Sequence, residues 1–166
     1  MHSLVLASLM TVMALMADTG VGEQQAKVFG HEEKVKLFPG GIKATARLDT
    51  GAATNSMYAV DTEVVEQGGQ KHVEFTFVDH EGKSHRLSRP LIDEVTVTQA
   101  SGQQRRYVVE MGLCLGDHYE NSRFTLADRS HMTFPILVGR NFLKNSVLVS
   151  SSDTNTQAPK CDVRLG

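Results

Sequence analysis

The chain has 166 residues, of which 40% are hydrophobic and 22% are charged, and its formal net charge is −2 at pH 7. This composition is typical of one globular domain with a hydrophobic core and excludes a largely disordered chain. Because the net charge is slightly negative and no run of lysine or arginine forms a basic stripe, we expect a peptide or protein partner and no nucleic acid.

The first predicted element is an uncharged apolar run from Leu4 to Ala17. It is too short to span a bilayer comfortably, and small residues up to Gly22 offer cleavage points. We therefore interpret residues 1–22 as a secretory signal peptide. The start of the run carries little positive charge, so an uncleaved anchor and a misplaced start codon stay open as alternatives. We expect a periplasmic or secreted protein with no stable membrane span after signal cleavage.

The predicted globular domain, residues 23–150, is rich in short β-type runs separated by turn signals that contain glycine. The runs are Val28–Phe29, Val35–Phe38, Lys43–Leu48, Val73–Val78, Glu94–Thr98, Tyr107–Leu115 and Arg123–Ala127. They predict an all-β barrel or sandwich. One short helix is expected at Gly139–Leu143. Residues 151–166 form a predicted polar C-terminal tail, with a flexible stretch from Ser150 to Ala158.

Two cysteines, Cys114 and Cys161, are present. An oxidising compartment would permit a disulfide that ties the tail to the body of the domain. Two free thiols, one buried in a strand and one in the tail, are the other interpretation. The sequence alone does not give their separation, so both stay open.

The first candidate functional motif consists of Asp49, Thr50, Gly51 and Ala52, at the end of the alternating run Lys43–Leu48. The strand delivers the aspartate to a tight turn, in which glycine permits close backbone approach and the threonine hydroxyl can fix the turn. This is a rigid support for one carboxylate. A second motif, Phe134–Leu143, runs from an apolar strand through Gly-Arg-Asn into the short helix.

Together, and in this order, the two motifs resemble the two halves of retroviral-type aspartic proteases. A closer resemblance is to a bacterial family often labelled as ATP-dependent zinc proteases and now viewed as retropepsin-like. The segments that match this family are Asp49–Ser56, Val73–Phe77, Ser101–Val109, Leu126–Met132 and Pro135–Arg140. The resemblance covers about Val35 to Ser150. It implies a small closed barrel of the retropepsin type, with one short C-terminal helix and one lobe per chain.

The resemblance also implies the chemistry. In aspartic proteases two neighbouring carboxylates share one proton and activate a water molecule. The predicted domain supplies one Asp-Thr-Gly turn, with Asp49 as the catalytic residue. We therefore expect a C2 homodimer that brings two Asp49 side chains together. A monomer that dimerises only on a substrate or a membrane partner stays open.

A flap over the cleft is also expected from the resemblance. The hairpin Thr96–Val109, with Ser101 and Gly102 at its turn, is the candidate for binding an extended peptide by strand addition. An ordinary exposed hairpin is the alternative.

The sequence departs from the retroviral pattern at Ala53, where those enzymes carry an acidic partner for the arginine of Gly-Arg-Asn. Arg140 is therefore expected near the site, bound either to Asp128 or to backbone carbonyls. We interpret Asp128 and Arg129 as a structural ion pair near a turn.

No zinc motif, cysteine pair of metal-binding spacing or phosphate-binding loop occurs, so we expect no metal and no cofactor. The sequence contains no motif typical of a serine or cysteine nucleophile. The predicted function is an aspartic peptidase. The family resemblance further implies an association with ATP-grasp amino-acid ligases, and hence trimming of added residues. The alternative is an inactive peptide-binding or scaffolding module that retains the fold.

Overall fold

The computed structural model describes residues 25–99 and 102–162, which are nearly all β-structure. The strands are β1 (Lys27–Phe38), β2 (Ile42–Leu48), β3 (Asn55–Gln67), β4 (Gln70–Val78), β5 (Ser84–Pro90), β6 (Asp93–Gln99), β7 (Gly102–Leu115), β8 (His118–Ala127), β9 (Ile136–Val138) and β10 (Val147–Thr154). A single turn of helix, α1 (Arg140–Leu143), lies between β9 and β10.

Six strands close into a barrel in the order β1-β2-β9-β3-β8-β7. The ring closes because β1 pairs with both β2 and β7: Val35 lies opposite Ala44 on one side and Leu115 on the other. Closure leaves no free edge within the ring. The predicted closed barrel with one short C-terminal helix is confirmed.

Three additions surround the barrel. Strand β10 runs parallel to the start of β1, and β4 and β5 extend the long strand β3 into an antiparallel sheet. Strand β6 pairs with the first half of β7 and forms a hairpin at one end of the barrel. This hairpin is the one that the sequence predicts as a flap.

The core follows from the alternation of apolar residues along the strands, because neighbouring side chains in a strand point to opposite faces. In β4, Val73, Phe75 and Phe77 are fully buried while the residues between them are partly exposed. Phe124 of β8 and Phe142 of α1 are also buried. Each such side chain contributes about 1.5–3 kcal/mol through burial.

The expected flexible tail from Ser150 to Ala158 is wrong. Its first five residues continue β10, whose pairing with β1 supplies the backbone partners. Further along, Thr156 donates its N–H and its hydroxyl to the carboxylate of buried Glu33. A disulfide joins Cys161 to Cys114 of β7, which settles the alternatives left open for the two cysteines.

The predicted signal peptide, residues 1–22, lies outside the described residues. Within residues 25–99 and 102–162 no helix has the length and hydrophobicity of a membrane span.

Candidate active site

The Asp49 turn is anchored to the barrel where β2 ends. Strand β2 pairs in parallel with β9, and the Asp49 N–H donates to the Val138 carbonyl at 2.9 Å. The Asp49 carboxylate is itself part of the turn, because its Oδ1 accepts the N–H groups of Gly51 at 2.8 Å and Ala52 at 3.3 Å. Neither turn bond uses Oδ2. The carboxylate is half-buried and held in one orientation, as the sequence predicts for a rigid support.

The same tripeptide, Asp-Thr-Gly, also occurs at residues 18–20. That copy lies in the predicted signal peptide and outside the described residues. Within the described ranges, Asp49 belongs to the sole copy.

A second loop, from β9 into α1, is bonded backbone to backbone against the Asp49 turn. The N–H groups of Arg140 and Asn141 donate to the carbonyls of Ala52 at 2.9 Å and Ala53 at 3.1 Å. The approach is so close that a Cβ on Gly139 would lie 2.6 Å from the Thr54 carbonyl oxygen. Only glycine fits here without moving one of the two loops.

Arg140 fixes the Asp49 turn from the other side. Its Nη1 donates to the carbonyls of Thr50 at 3.0 Å and Gly51 at 2.7 Å. Of the two partners expected for Arg140, backbone carbonyls are therefore the ones observed. The residues Thr50, Gly51 and Ala52 all take part in supporting the turn.

Asp128 does not join the site. Its Oδ1 accepts the Ser130 N–H at 2.9 Å in a local turn, and this bond holds the pKa of Asp128 below its usual value. Arg129 binds the Phe134 carbonyl at 3.1 Å and the Ser56 hydroxyl at 2.9 Å. The expected Asp128–Arg129 ion pair is therefore wrong, because each residue has a different partner.

Sequence reasoning missed Asn55, a fully buried side chain that connects the two loops to the barrel. Its Oδ1 accepts the Gly139 N–H at 2.9 Å, and its Nδ2 donates to the Ser122 hydroxyl at 2.8 Å and the Arg123 carbonyl at 3.1 Å. The amide oxygen and both amide N–H groups therefore have hydrogen-bond partners. The available signal was an asparagine at the very start of an apolar strand, shortly after the Asp49 turn.

A groove with a cavity volume of about 430 Å³ lies between the predicted flap hairpin and the two loops. Its walls come from the hairpin, from β8 and from the ends of both loops. The lining residues are Thr54, Asp93, Val95, Val97, Val108, Arg123, Thr125 and Asn141. It is large enough to hold side chains of an extended peptide.

The hairpin itself is confirmed as an element, since Gln99 pairs with Gly102 at its tip. Gly102 has φ +118°, a conformation that favours glycine. Ser101 lies outside the described residues, so the proposed flap contact there stays a prediction. The described residues contain no group of three or more His, Cys, Asp or Glu side chains arranged to hold a metal ion.

Comparisons with known proteins agree with this geometry. The family model described as retropepsin-like aspartic endopeptidase RimB matches residues 28–160. The chain is 28% identical over 143 residues to a probable alpha-L-glutamate ligase of Shewanella halifaxensis, covering 83% of this chain and 31% of that protein. It is 30% identical over 129 residues to another of Desulfotalea psychrophila, covering 74% of this chain and 28% of that protein. The chain therefore spans less than a third of these relatives.

A solved structure of a Legionella pneumophila protein of unknown function superposes with a TM-score of 0.68 at 26% sequence identity. The match covers 78% of this chain and 96% of that one. The barrel and its loops are thus a shared architecture.

Proposed function

Because the chain belongs to the RimB-like family of retropepsin-like aspartic endopeptidases, we propose that it is a peptidase whose catalytic residue is Asp49. The observation that carries this proposal is the rigid mount of the Asp49 carboxylate. Oδ1 is fixed by two backbone N–H groups, and neither of those bonds uses Oδ2. An aspartic peptidase needs a carboxylate held in this manner next to a substrate groove, and Thr54, at the end of the loop that carries Asp49, lines the groove.

The second carboxylate comes from a second copy of the chain in this proposal. A C2 dimer places two Asp49 side chains against each other, so that one is ionised and the other is protonated. The ionised carboxylate takes a proton from water as the oxygen attacks the peptide carbonyl carbon. The protonated carboxylate donates to the developing oxyanion. Collapse of the tetrahedral intermediate breaks the C–N bond, and the leaving nitrogen takes up a proton.

The names of the relatives support a substrate class. Two relatives are named probable alpha-L-glutamate ligases, proteins whose name describes the addition of glutamate. We propose that this chain hydrolyses peptide bonds in a peptide or protein that carries added glutamate residues. The groove wall carries one cationic side chain, Arg123, and one carboxylate, Asp93.

Export to the periplasm or the cell exterior is part of the same proposal. It is supported by the apolar leader and by the Cys114–Cys161 disulfide, a bond that persists in oxidising compartments.

The test compares Asp49→Asn with the unchanged protein on a glutamate-rich peptide and on an unrelated unfolded protein. We expect cleavage to fall by at least three orders of magnitude, as is typical for loss of a central catalytic group, while sedimentation shows the same dimer. Asp61→Asn is the matched control, because Asp61 is an exposed residue at φ +51° that asparagine tolerates. Undiminished cleavage by Asp49→Asn would refute the proposal.

The alternative, an inactive peptide-binding module, is motivated by Ala53 in place of an acidic residue. It predicts that the unchanged protein and Asp49→Asn bind the peptide equally and that neither cleaves it. A strict monomer that is nevertheless active would contradict the shared pair of carboxylates.

A further inference from the structure

Another groove, on the outer face of the barrel, is lined by three lysine side chains. It has a cavity volume of about 530 Å³, and Lys34 and Lys36 of β1 and Lys43 of β2 line it. Lys36 lies directly opposite Lys43 in the antiparallel pairing, and Lys34 is two residues from Lys36, so all three side chains share one face of the sheet. The remaining lining residues are Val35, Ala44, His80, Glu81, Ala158 and Pro159. None of them lines the groove beside the Asp49 turn.

The walls of this basic groove are fixed by bonds to the rest of the domain. One part of the wall, Ala158 and Pro159, belongs to the C-terminal segment that the disulfide at Cys161 ties to the barrel. Another part is the turn between β4 and β5, in which the Glu81 N–H donates to the Asp79 carboxylate at 2.9 Å. A preformed site loses less conformational entropy when a ligand binds. The basic groove is therefore ready to receive a ligand without rearrangement of its walls.

The positive charge of the basic groove is not neutralised within the described part of the chain. Lys34 donates to the neutral hydroxyl of Thr45 at 2.8 Å, whereas the side chains of Lys36 and Lys43 form no hydrogen bond or ion pair with a described residue. Glu81 is the one carboxylate among the lining residues, and it lies beyond ion-pair distance of all three lysines. Because like charges directly opposite each other destabilise a sheet, an anion bound between Lys36 and Lys43 would relieve a repulsion.

The shape and spacing of the basic groove favour an extended acidic peptide as that anion. Side chains two residues apart on a strand, such as those of Lys34 and Lys36, are separated by about 6.5–7 Å, which is also the spacing of alternate side chains in an extended peptide. A neighbouring cavity of about 400 Å³ shares Lys43 and Glu81 with the groove and adds Lys83, so the cationic surface continues beyond the space of one anion.

The composition of the two cavities argues against a nucleic acid. Single-stranded nucleic acids stack their bases on aromatic rings, and no phenylalanine or tyrosine is among the described residues that line either cavity. The neighbouring cavity also contains the Asp79 carboxylate, which is already bound by the His85 ring at 3.0 Å. An acidic peptide therefore fits this surface better than a phosphate backbone with bases.

We propose that Lys34, Lys36 and Lys43 form a docking site for an acidic stretch of the substrate, away from the bond that is cleaved. The inference rests on the proposed peptidase function and deepens it, because it gives one reason for selecting substrates that carry glutamate. Lys43 precedes Asp49 by six residues, which is about 20 Å along the strand. About six residues of extended chain therefore separate the docked stretch from the catalytic carboxylate. The lysines raise affinity for long acidic chains, and Asp49 performs the hydrolysis.

The test measures binding by fluorescence anisotropy at low ionic strength, in the full chain with Asp49→Asn so that the probes stay intact. The labelled probes are a peptide of ten glutamates, a peptide of ten glutamines and an oligothymidylate of ten nucleotides. Adding Lys36→Gln and Lys43→Gln together should weaken binding of the glutamate peptide by about 3- to 25-fold, since one exposed ion pair corresponds to a factor of up to about 5. Added salt should weaken it as well.

Lys71→Gln is the matched control. Lys71 is exposed, forms no ion pair with a described residue and lies at the other end of β4 from the turn that carries Glu81. It should change the affinity less than twofold. The double variant should fold normally, because it removes two facing like charges, and circular dichroism checks this.

Cleavage of the glutamate peptide by chains that retain Asp49 separates this inference from the proposed function. If the unchanged protein cleaves and the double variant has the same Kd and KM, the docking site is wrong and the peptidase stands. If no cleavage occurs but binding depends on Lys36 and Lys43, the peptidase is wrong and the docking of acidic peptides stands. Cleavage with a raised KM in the double variant supports both.

The remaining outcomes overturn the docking site. They are no binding of the glutamate peptide, equal binding of the glutamine peptide, and oligothymidylate binding that is at least as tight and depends equally on the two lysines. A double variant with altered sedimentation would assign the basic groove to a contact between two copies of the chain instead.

Discussion

Replacing Asn55 with alanine tests whether one buried amide holds the two loops of the candidate active site together. The side chain is fully buried and makes three hydrogen bonds. Alanine removes all three. The Gly139 N–H then loses its side-chain partner in a buried setting, whereas the Arg123 carbonyl keeps the Asn141 Nδ2 as a donor at 3.3 Å.

The expected cost follows from these contacts. A buried polar group without a partner costs about 1–3 kcal/mol. The Gly139 N–H is therefore the one group counted as left without a partner, and the space left by the amide adds a further term. We expect Asn55→Ala to reduce the free energy of unfolding by about 2–4 kcal/mol, a large part of the roughly 5–15 kcal/mol typical of a domain.

Urea unfolding followed by far-UV circular dichroism measures this change, because the chain has no tryptophan for fluorescence. Asn121→Ala is the matched control: Asn121 neighbours Ser122, is exposed, and accepts one hydrogen bond from the Tyr119 hydroxyl at 2.9 Å. It should change stability by about 0.5 kcal/mol or less. Peptidase activity should fall with Asn55→Ala even where the variant is fully folded, since the Gly139 loop loses its hydrogen bond to the Asn55 side chain.

A loss below about 1 kcal/mol in Asn55→Ala, similar to the control, would refute this reasoning. It would mean that the backbone bonds between the loops suffice and that the amide is dispensable. A loss of stability with full activity in the folded fraction would remove Asn55 from the site while leaving its role in folding.

Two further predictions concern the disulfide and the Asp79 turn. Cys161→Ser should lower stability by about 4 kcal/mol, the chain-entropy value for a link across 47 residues, and should abolish the sensitivity of stability to reductant. For Asp79, burial by itself raises the pKa, but hydrogen bonds from the His85 ring and from the N–H groups of Lys83 and Glu81 outweigh it and hold the pKa below the usual value. The lowered pKa adds stability above about pH 4 that is lost as the pH falls, so stability between pH 5 and pH 3 should fall less in Asp79→Asn than in the unchanged protein. An equal loss of stability in the two proteins between pH 5 and pH 3 would contradict this prediction.

The parts of the fold that the sequence predicts are those set by local pattern. Polar and apolar residues alternate in the run before Asp49, and the Asp49 turn requires glycine. The hairpin with Gly102 at its tip has a turn signal between two β-type runs. The strand β5 was missed because its residues, Ser84 to Pro90, include three cationic or imidazole side chains and none is fully buried. Its place is given by pairing with β4 and not by hydrophobicity of its own.

Contacts between distant segments escaped sequence reasoning for a different reason. Asn55 and Ser122 are separated by 67 residues, and nothing in either segment indicates the other. Likewise, the polar residues after Ser150 carry no apolar pattern, yet they form a strand because the start of β1 offers an unpaired edge. Only closure of the barrel brings these partners together.

The substitution at Ala53 illustrates how the site retains its geometry without a side-chain ion pair. An acidic residue at this position would pair with the arginine in the retroviral pattern, and its loss would release Arg140 if that pair were the only constraint. Here the Ala53 carbonyl accepts the Asn141 N–H, and Arg140 binds the carbonyls of Thr50 and Gly51 directly. Backbone carbonyls exist at every residue, so this support does not depend on which side chain occupies position 53. The arginine therefore supports the Asp49 turn directly, through its backbone.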